Sequence, residues 1–468
     1  MTTTSERLQR AAVETAIDGL LRYIGTGDRG EHLLKLVDVA QRVAGDMYTE
    51  ESYDAARALI RDNGKWMAYV NRILDEVDPH VLKKTALGLG YQATYVGTKT
   101  IRENRHIHQC NIPWLILLDP TSACNLHCTG CWAAEYGHKL NLTYEELDDI
   151  VEQGKALGVY FYMYTGGEPL IRKADLIRLC KKHGECHFHA FTNGTLVDEA
   201  FCRDMAQVGN LSLSLSLEGF EQTNDLRRGE GIFDKVLCAM RLLKAHGLLF
   251  GTSICYTSAN LECVTSDEFL DLLIENGCRY SWYFHYMPVG NLASPDLMPS
   301  VAQREFMLRR IREVRAREGG KPIFLMDFQN DGEYVGGCVA GGRNYLHINA
   351  NGDIEPCVFI HYSDSNIREV SLLDALKRPL FMAYRDGQPF NCNHLRPCPM
   401  LENPEILAGI IDQTGAKSTD LEAPESVQHL CDKCKPYAAA WESRANELWA
   451  SYPHPTPSFQ NYKSDYLR

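Results

Sequence analysis

Residues 113–132 read PWLILLDPTSACNLHCTGCW, and this stretch joins a continuous apolar run to three closely spaced cysteines. The apolar run, residues 113–118, is typical of a strand buried on both faces of a parallel sheet. Cys124, Cys128 and Cys131 follow it at once with the spacing C-x3-C-x2-C. Iron–sulfur clusters and structural metal sites usually take four ligands, whereas a catalytic site keeps one position open. The stretch therefore predicts a buried strand followed by a metal site with one free position.

Zinc binding is the alternative interpretation of these cysteines. A zinc site built from local pairs needs a second C-x2-C or a histidine pair nearby. The next C-x2-C pair, Cys431 and Cys434, lies far downstream, and His127 is adjacent to Cys128 and too close to form a separate half-site. The spacing therefore favours an iron–sulfur cluster over zinc.

The composition places the chain among ordinary globular proteins of more than one domain. It has 468 residues, of which 45% are hydrophobic and 23% charged, a length that predicts two or three domains. The net charge of −13 argues against a nucleic-acid partner, which usually requires a basic face. The sequence shows no secretory signal and no membrane span, so the 17 cysteines are expected to be reduced thiols and metal ligands in the cytoplasm.

The pattern of apolar residues divides the chain into three predicted domains. Residues 1–108 show helical periodicity, residues 109–320 alternate strands with helices, and residues 321–468 form a cysteine-rich α+β extension. The alternating part predicts six parallel βα units, which fit a partial (β/α)6 barrel or a doubly wound sheet. In the extension, Asn351-Gly352 between alternating apolar residues predicts a β-hairpin that ends at Cys357.

Polar motifs follow the predicted strands one after another. In a parallel α/β barrel, functional groups cluster at the C-terminal ends of the strands. The second strand is followed by TGGEP, the third by FTNGT, the fourth by SLEG, and a later stretch reads DLRRGEG. The two glycines of TGGEP allow close approach of a ligand, and its acidic residue can accept hydrogen bonds from an amine. Simple turns and caps are the structural alternative for each motif.

Together, the cysteine spacing and the GGEP segment resemble the radical SAM superfamily. The resemblance implies that Cys124, Cys128 and Cys131 hold a 4Fe–4S cluster whose fourth iron is chelated by S-adenosylmethionine (SAM). It implies an α/β barrel and further SAM contacts, in which GGEP binds the amino group of the methionine part and an arginine pairs with its carboxylate. The residues that match these positions are Gly166, Gly167, Glu168, Pro169, Thr192, Asn193, Ser216 and Arg228.

The downstream cysteines resemble the SPASM/twitch extension of that superfamily. Cys338, Gly352 and Cys357 fit its opening pattern C-x(9–15)-G-x4-C, but most of the longer cysteine block that should follow is missing. The resemblance implies one auxiliary 4Fe–4S cluster, and a zinc site at the same place stays open. The expected ligands are Cys338, Cys357, Cys398 and Cys434, with Cys392 and Cys431 as substitutes.

The activity implied by the resemblance is reductive cleavage of SAM followed by hydrogen abstraction from a substrate, with flavodoxin or ferredoxin as electron donor. The helical first domain favours a small metabolite, lipid or cofactor precursor, whereas the auxiliary-cluster pattern favours a peptide. A non-enzymatic iron–sulfur or zinc protein is the alternative from another class, although such a carrier would not need the GGEP segment. No catalytic residue is assigned, and the other eight cysteines are expected to be buried packing residues.

Overall fold

The computed structural model of the protein describes residues 4–44, 48–133 and 136–454. The first part of the chain is helical, as the sequence predicts. Asn63 adopts a left-handed conformation at φ 50° and ends one helix before Gly64 begins the next. The elements are α1 Thr4–Ile24, α2 Arg29–Ala44, α3 Glu50–Asp62, α4 Lys65–Glu76, α5 Pro79–Thr85, a π-helix Ala86–Gly97 and α6 Thr98–His108.

Seven parallel strands form a continuous sheet in which the spatial order equals the chain order. A doubly wound sheet reverses its strand order at a switch point, and no reversal occurs here. Right-handed crossovers that all run in one direction place the helices on one face, so the sheet is an open partial barrel. The strands are β1 Leu115–Leu118, β2 Phe161–Tyr164, β3 His187–Thr192, β4 Leu211–Ser216, β5 Phe250–Tyr256, β6 Tyr280–His285 and β7 Phe324–Asp327. The seventh strand was not predicted.

Helices connect these strands, most of them where the sequence predicts, although the helices Glu221–Arg228 and Leu261–Thr265 were not predicted. The first of them begins with a capping box, in which Thr143 and Glu146 satisfy each other's backbone N–H groups, and ends at Gly158 with φ 99°. The connecting helices are α7 Tyr144–Leu157, α8 Lys173–Lys182, α9 Glu199–Val208, α10 Glu221–Arg228, α11 Ile232–Ala245, α12 Leu261–Thr265, α13 Asp267–Glu275 and α14 Val301–Arg315.

The two faces of the sheet pack into two different cores. Ile116 and Leu118 of β1 pack with the helices, whereas Leu117 between them packs with the C-terminal part of the chain. Such alternation follows from the two-residue period of a strand. The strand is therefore buried on both faces, as its apolar sequence predicts, and its inner face lines the interior of the barrel.

The π-helix closes the N-terminal end of the barrel. A Cβ added to Gly97 would lie 2.5 Å from the carbonyl oxygen of Gly158, so only glycine permits this contact. The indole of Trp114 donates a hydrogen bond of 3.1 Å to the carbonyl of Ala93 in the same π-helix. The π-helix therefore packs against the chain at the N-terminal ends of β1 and β2.

The C-terminal part of the chain covers the C-terminal ends of the strands. The predicted hairpin is confirmed, with β8 Tyr345–Ile348 antiparallel to β9 Ile354–Glu355 and Gly352 at φ 85°. β8 also pairs in parallel with β1, so β7 and β8 extend the barrel sheet beyond residue 320. The other elements are α15 Gly332–Val335, β10 Tyr362–Ser363, α16 Leu372–Ala375, α17 Pro379–Gly387, α18 Pro404–Thr414, β11 Lys417–Ser418 and α19 Val427–Ala450.

None of the helices in the described part of the chain combines the length and the apolar character that a bilayer span requires.

Candidate functional site

A cavity of about 520 Å³ lies between the C-terminal ends of the strands and the C-terminal part of the chain. Most of the residues singled out from the sequence meet in its wall. Pro169 and Cys434 do not line it, and neither do the substitutes Cys392 and Cys431. The predicted residues in the wall are Cys124, Cys128, Cys131, Gly166, Gly167, Glu168, Thr192, Asn193, Ser216, Arg228, Cys338, Cys357 and Cys398.

The first cysteine triplet occupies the loop that follows β1. Burial raises the pKa of the Cys124 thiol to about 11, and Cys131 and Cys128 raise it further by electrostatic repulsion. Backbone N–H groups of Leu126 and Ala133 lower the pKa values of Cys124 and Cys131, respectively, by donating to the thiolates. Three mutually repelling thiolates with amide donors fit a cationic metal centre, which would offset the repulsion. The donor set therefore suits a cluster that binds three cysteines.

The GGEP loop packs directly on the cysteine loop. The backbone N–H groups of Gly167 and Glu168 donate to the carbonyls of Thr121 and Ala123 at 3.0 and 2.8 Å. A Cβ added to Gly167 would lie 2.1 Å from the carbonyl oxygen of Ala123, so a larger residue would push the two loops apart. The glycine therefore permits close contact between two loops of the site. Pro169 begins the short 3₁₀ helix Pro169–Arg172, where it lacks only an N–H that the helix does not use.

Glu168 joins the ends of β2 and β3. Its carboxylate accepts hydrogen bonds from the Thr192 hydroxyl at 2.6 Å and from the backbone N–H groups of Asn193 and Leu170 at 2.8 and 2.9 Å. Burial raises the pKa of Glu168, and these donors oppose that shift. Two motifs that the sequence suggests separately thus form one hydrogen-bonded unit.

Arg228 lies between the first cysteine triplet and a buried acid. It pairs with Glu218 at 2.5 Å, and its other guanidinium nitrogen lies 3.8 Å from the sulfur of Cys128. Arg227 pairs with the same carboxylate at 2.6 Å, and the second carboxylate oxygen accepts from the backbone N–H of Cys255 at 3.0 Å. Glu218 belongs to the SLEG segment but was not among the expected SAM contacts, although its position two residues after the end of β4 was a usable signal.

A second cysteine triplet lines the same cavity. The sulfur of Cys398 accepts from the backbone N–H groups of Met400 and Leu401 at 3.4 Å each, and Cys357 lies 2.7 Å from the hydroxyl of Tyr345. Burial raises the pKa of Cys338 to about 11 and that of Cys357 to about 12. These three thiols come from separate segments and line one cavity. They are three of the four cysteines expected as auxiliary ligands.

Cys434, the fourth expected ligand, lies elsewhere. It is buried on α19 beside Cys431, and the thiol of Cys431 donates to the carbonyl of Pro404 at 3.1 Å. Cys392 is exposed. In the described residues no three His, Cys, Asp or Glu side chains converge as ligands of one metal ion; a cluster instead attaches its cysteines to different iron atoms.

The remaining cysteines mostly serve packing. Five of the eight are buried as expected, namely Cys110, Cys180, Cys186, Cys202 and Cys278. The expectation is wrong for Cys238, which is exposed, while Cys255 lies in the cavity wall. A strand pattern cannot distinguish a residue that faces a cavity from one that faces a packed core.

A buried charge network joins the end of β1, before the first triplet, to the hairpin before Cys357. The imidazole of His347 on β8 contacts Asp119 at 3.0 Å and Glu355 at 2.6 Å. Burial acts to lower the pKa of His347, but the two carboxylates outweigh it and raise that pKa to about 10. Tyr136 donates to Glu355 at 2.8 Å. The strand before the first triplet is thus connected through an imidazolium to the strand before Cys357.

Aromatic rings that the sequence did not single out form the middle of the cavity wall. We call the rings of Phe191, Trp282, Phe284, Phe328 and Phe359 the aromatic belt. All but Phe359 remain half-buried because they face the cavity from inside the barrel. Alternation along β6 was the available signal, because Trp282 and Phe284 are two residues apart and share a face.

The fold and the site define an α/β barrel whose C-terminal opening holds two sets of three thiols around one cavity. Residues 118–273 match the family model of the radical SAM superfamily. The chain therefore contains a radical SAM domain, and the resemblance found in its motifs is confirmed. Proteins of this superfamily use a 4Fe–4S cluster and SAM, which are the cofactors of this domain.

Related proteins are enzymes of different specificities. The Fe-coproporphyrin III synthase of Methanosarcina barkeri is 26% identical over 231 residues, which are 47% of this chain and 57% of that protein. The PqqA peptide cyclase of Granulibacter bethesdensis is 28% identical over 307 residues, which are 60% of this chain and 79% of that protein. The relatives therefore agree in superfamily and differ in substrate.

A solved structure shows the same fold over most of the chain. Streptococcus suis SuiB, bound to precursor peptide SuiA, superimposes with a TM-score of 0.55 at 19% identity, over 80% of this chain and 89% of that chain. This superposition covers a larger share of the chain than the residues that match the family model.

Proposed function

We propose that this chain cleaves SAM reductively at a cluster held by Cys124, Cys128 and Cys131 and uses the product to take a hydrogen atom from a small molecule. The observation that carries the proposal is the convergence of this triplet, the GGEP loop and Arg228 on one cavity at the C-terminal ends of the strands. When bound, the reduced cluster supplies an electron that cleaves SAM into methionine and a 5′-deoxyadenosyl radical.

The residues of the chain bind and orient SAM. The GGEP backbone and the hydrogen-bonded unit of Glu168, Thr192 and Asn193 hold the amino end, as the resemblance implies. Arg228 lies beside Cys128 and Glu218, where its positive charge suits the SAM carboxylate. Ser216 at the end of β4 lines the same wall. The C-terminal part of the chain covers the opening and keeps water from the radical.

We further propose that Cys338, Cys357 and Cys398 hold an auxiliary 4Fe–4S cluster. Their shared position in the cavity wall and the amide donors to Cys398 support it. Cys434 is the fourth ligand that the sequence suggests, and its absence from the cavity wall argues against it. A zinc ion at this place is the alternative, and metal analysis distinguishes zinc from an iron–sulfur cluster.

The substrate is a small metabolite, a lipid or a cofactor precursor in this proposal. The helical first 108 residues and the relative named Fe-coproporphyrin III synthase support it. A peptide is the second candidate, supported by the similarity to the PqqA peptide cyclase. The proposed electron donor is flavodoxin or ferredoxin, and the proposed compartment is the cytoplasm, where the 17 free cysteines would stay reduced.

The test is anaerobic reconstitution with iron, sulfide, SAM and a reductant, scored for 5′-deoxyadenosine. We expect product from the wild-type chain and from Cys238→Ala, whose thiol is exposed and outside the cavity, but none above background from Cys128→Ala. Equal product from Cys128→Ala would reject the proposal. A chain that binds iron without forming product would be the non-enzymatic iron–sulfur protein.

A further inference from the structure

We propose that the part of the substrate that enters the cavity is an uncharged aromatic group. This inference rests on the proposed function, because it names the substrate class of the same site. Three features of the cavity carry it: the aromatic belt, the pairing of every charged group in the wall, and one indole N–H without a partner.

The aromatic belt forms a continuous surface in the cavity wall that also contains the two cysteine triplets. The rings of Trp282 and Phe284 are stacked, with centroids 6.1 Å apart and planes at 11°. Phe191 meets both rings edge-on at 6.1 and 5.9 Å, and Phe328 lies 5.4 Å from Phe284. Such a surface offers faces and edges to a further ring, since aromatic pairs favour offset and edge-to-face contacts.

The charged groups near the first triplet are already paired. Glu218 binds both Arg227 and Arg228, and Glu168 accepts three hydrogen bonds from its own neighbours. These groups belong to the proposed SAM end of the cavity. Two guanidinium groups share the one carboxylate of Glu218, and the positive charge in excess is assigned to the SAM carboxylate. No cation is then left there for a substrate carboxylate or phosphate.

The charged groups at the opposite end are also paired. Asp331 forms a double hydrogen bond with Arg315 at 2.6 and 3.0 Å. Burial lowers the pKa of His285 to about 3, and this neutral ring contacts the hydroxyl of Tyr437 at 2.8 Å. A charged substrate group would therefore lose its hydration without gaining a partner, which costs several kcal/mol or more.

One polar atom of the belt has no partner in the described part of the chain. The indole Nε1 of Trp282 is buried and makes no hydrogen bond. An N–H left unpaired away from water costs about 1–3 kcal/mol, which a neutral acceptor on the ligand would recover. The aromatic group is thus expected to carry a neutral oxygen, such as a hydroxyl or a carbonyl.

Isothermal titration of the reconstituted holoenzyme with SAM tests the inference. The probes are p-cresol, toluene and 4-methylbenzoate, which share a ring and differ in polarity and charge. We expect p-cresol to bind most tightly, toluene more weakly and 4-methylbenzoate weakest. Binding of 4-methylbenzoate as tight as that of p-cresol would overturn the inference.

Variants of the belt make the test specific. Phe284→Leu should weaken binding of p-cresol and toluene alike, by about three- to ten-fold. Trp282→Phe keeps an aromatic ring and removes the N–H. It should therefore weaken the binding of p-cresol about three- to ten-fold and leave the binding of toluene nearly unchanged. The control is Phe188→Leu. The ring of Phe188 is buried on the helix-facing side of the same sheet, so its loss should change the binding of neither probe. If Trp282→Phe weakened the binding of both probes equally, the hydrogen bond assigned to the Trp282 N–H would be wrong.

Two further arms identify the source of the aromatic group and separate the two proposals. Tighter binding of acetyl-Gly-Tyr-Gly-amide than of p-cresol supports an aromatic side chain of a peptide, and the reverse order supports a free small molecule. If no aromatic probe binds while the same holoenzyme forms 5′-deoxyadenosine, this inference fails and the proposed function stands. If 5′-deoxyadenosine is absent, the proposed function itself fails.

Discussion

Cys124, Cys128 and Cys131 come from one loop, whereas Cys338, Cys357 and Cys398 come from three separate segments of the C-terminal part. The first triplet is half-buried and borders charged groups. The second lies among aromatic rings and backbone amides, and Cys357 is buried there beside Tyr345. Charged surroundings suit a charged cosubstrate such as SAM, while an apolar shell suits a cluster that is held and kept from water.

The contrast shows how one cavity provides two environments. At one end, Arg227, Arg228 and Glu218 keep charge close to the first triplet. At the other end, the thiols depend on tertiary packing to come together. Changes in the first region should therefore affect SAM chemistry, and changes in the second should affect metal content and the fit of the substrate.

The largest effect is expected from Cys128→Ala. Loss of one of three local ligands should abolish 5′-deoxyadenosine formation and remove about four irons per chain. The iron of the second triplet should remain. Iron analysis and product assay check this, with Cys238→Ala as the matched control. If Cys128→Ala retained all of its iron, the claim that the first triplet holds its own cluster would be contradicted.

The next test concerns the ligands of the second triplet. Cys398→Ala should lose the auxiliary metal, because two backbone amides hold its sulfur in the cavity wall. Cys434→Ala and Cys392→Ala should keep it, since neither residue lines the cavity. Iron and zinc analysis of each variant provides the measurement. Loss of metal in Cys434→Ala and not in Cys398→Ala would reverse the assignment.

His347→Gln should weaken the link between the two regions. The variant leaves two buried carboxylates without their cation, so the free energy of unfolding should fall by about 3–5 kcal/mol. Denaturant unfolding measures this loss. His246→Gln, at a more exposed pair with Glu199, should lose less than about 1 kcal/mol.

The difference in stability between wild type and His347→Gln should depend on pH. The pKa of His347 is about 10 in the folded state and about 6.5 in the unfolded state. Between these two pH values the folded state therefore binds one more proton than the unfolded state. The stabilisation is complete below about pH 6.5 and decreases as the pH rises toward 10. The difference between wild type and His347→Gln should therefore narrow over this range, and a difference that grows with pH would contradict the imidazolium.

The smallest effect is expected from Glu168→Gln. The amide places an N–H donor opposite the backbone N–H of Asn193, which should disturb the loop and weaken SAM binding by about ten-fold. Titration with SAM measures the change. Glu145→Gln on the exposed side of α7 is the control, and equal SAM affinity in all three proteins would exclude a role for Glu168.

Local patterns predicted the parts of the molecule that depend on local sequence. The order of strands and helices and the triplet after β1 follow from apolar periodicity and spacing within a few residues. Pairing of β8 with β1 was not predictable, because it joins segments more than two hundred residues apart and depends on the completed barrel. The position of Cys434 was not predictable for the same reason, since spacing along the chain does not say whether α19 reaches the cavity wall.

The central claim is that two separate thiol triplets serve one cavity, the first with an iron open to SAM and the second with its own metal. Mössbauer spectra of the iron-57 reconstituted protein, recorded with and without SAM, test it most directly. We expect two 4Fe–4S clusters, of which SAM changes one iron environment in one cluster, while Cys398→Ala lacks the unchanged cluster. A single cluster, or spectra that SAM does not alter, would contradict the account.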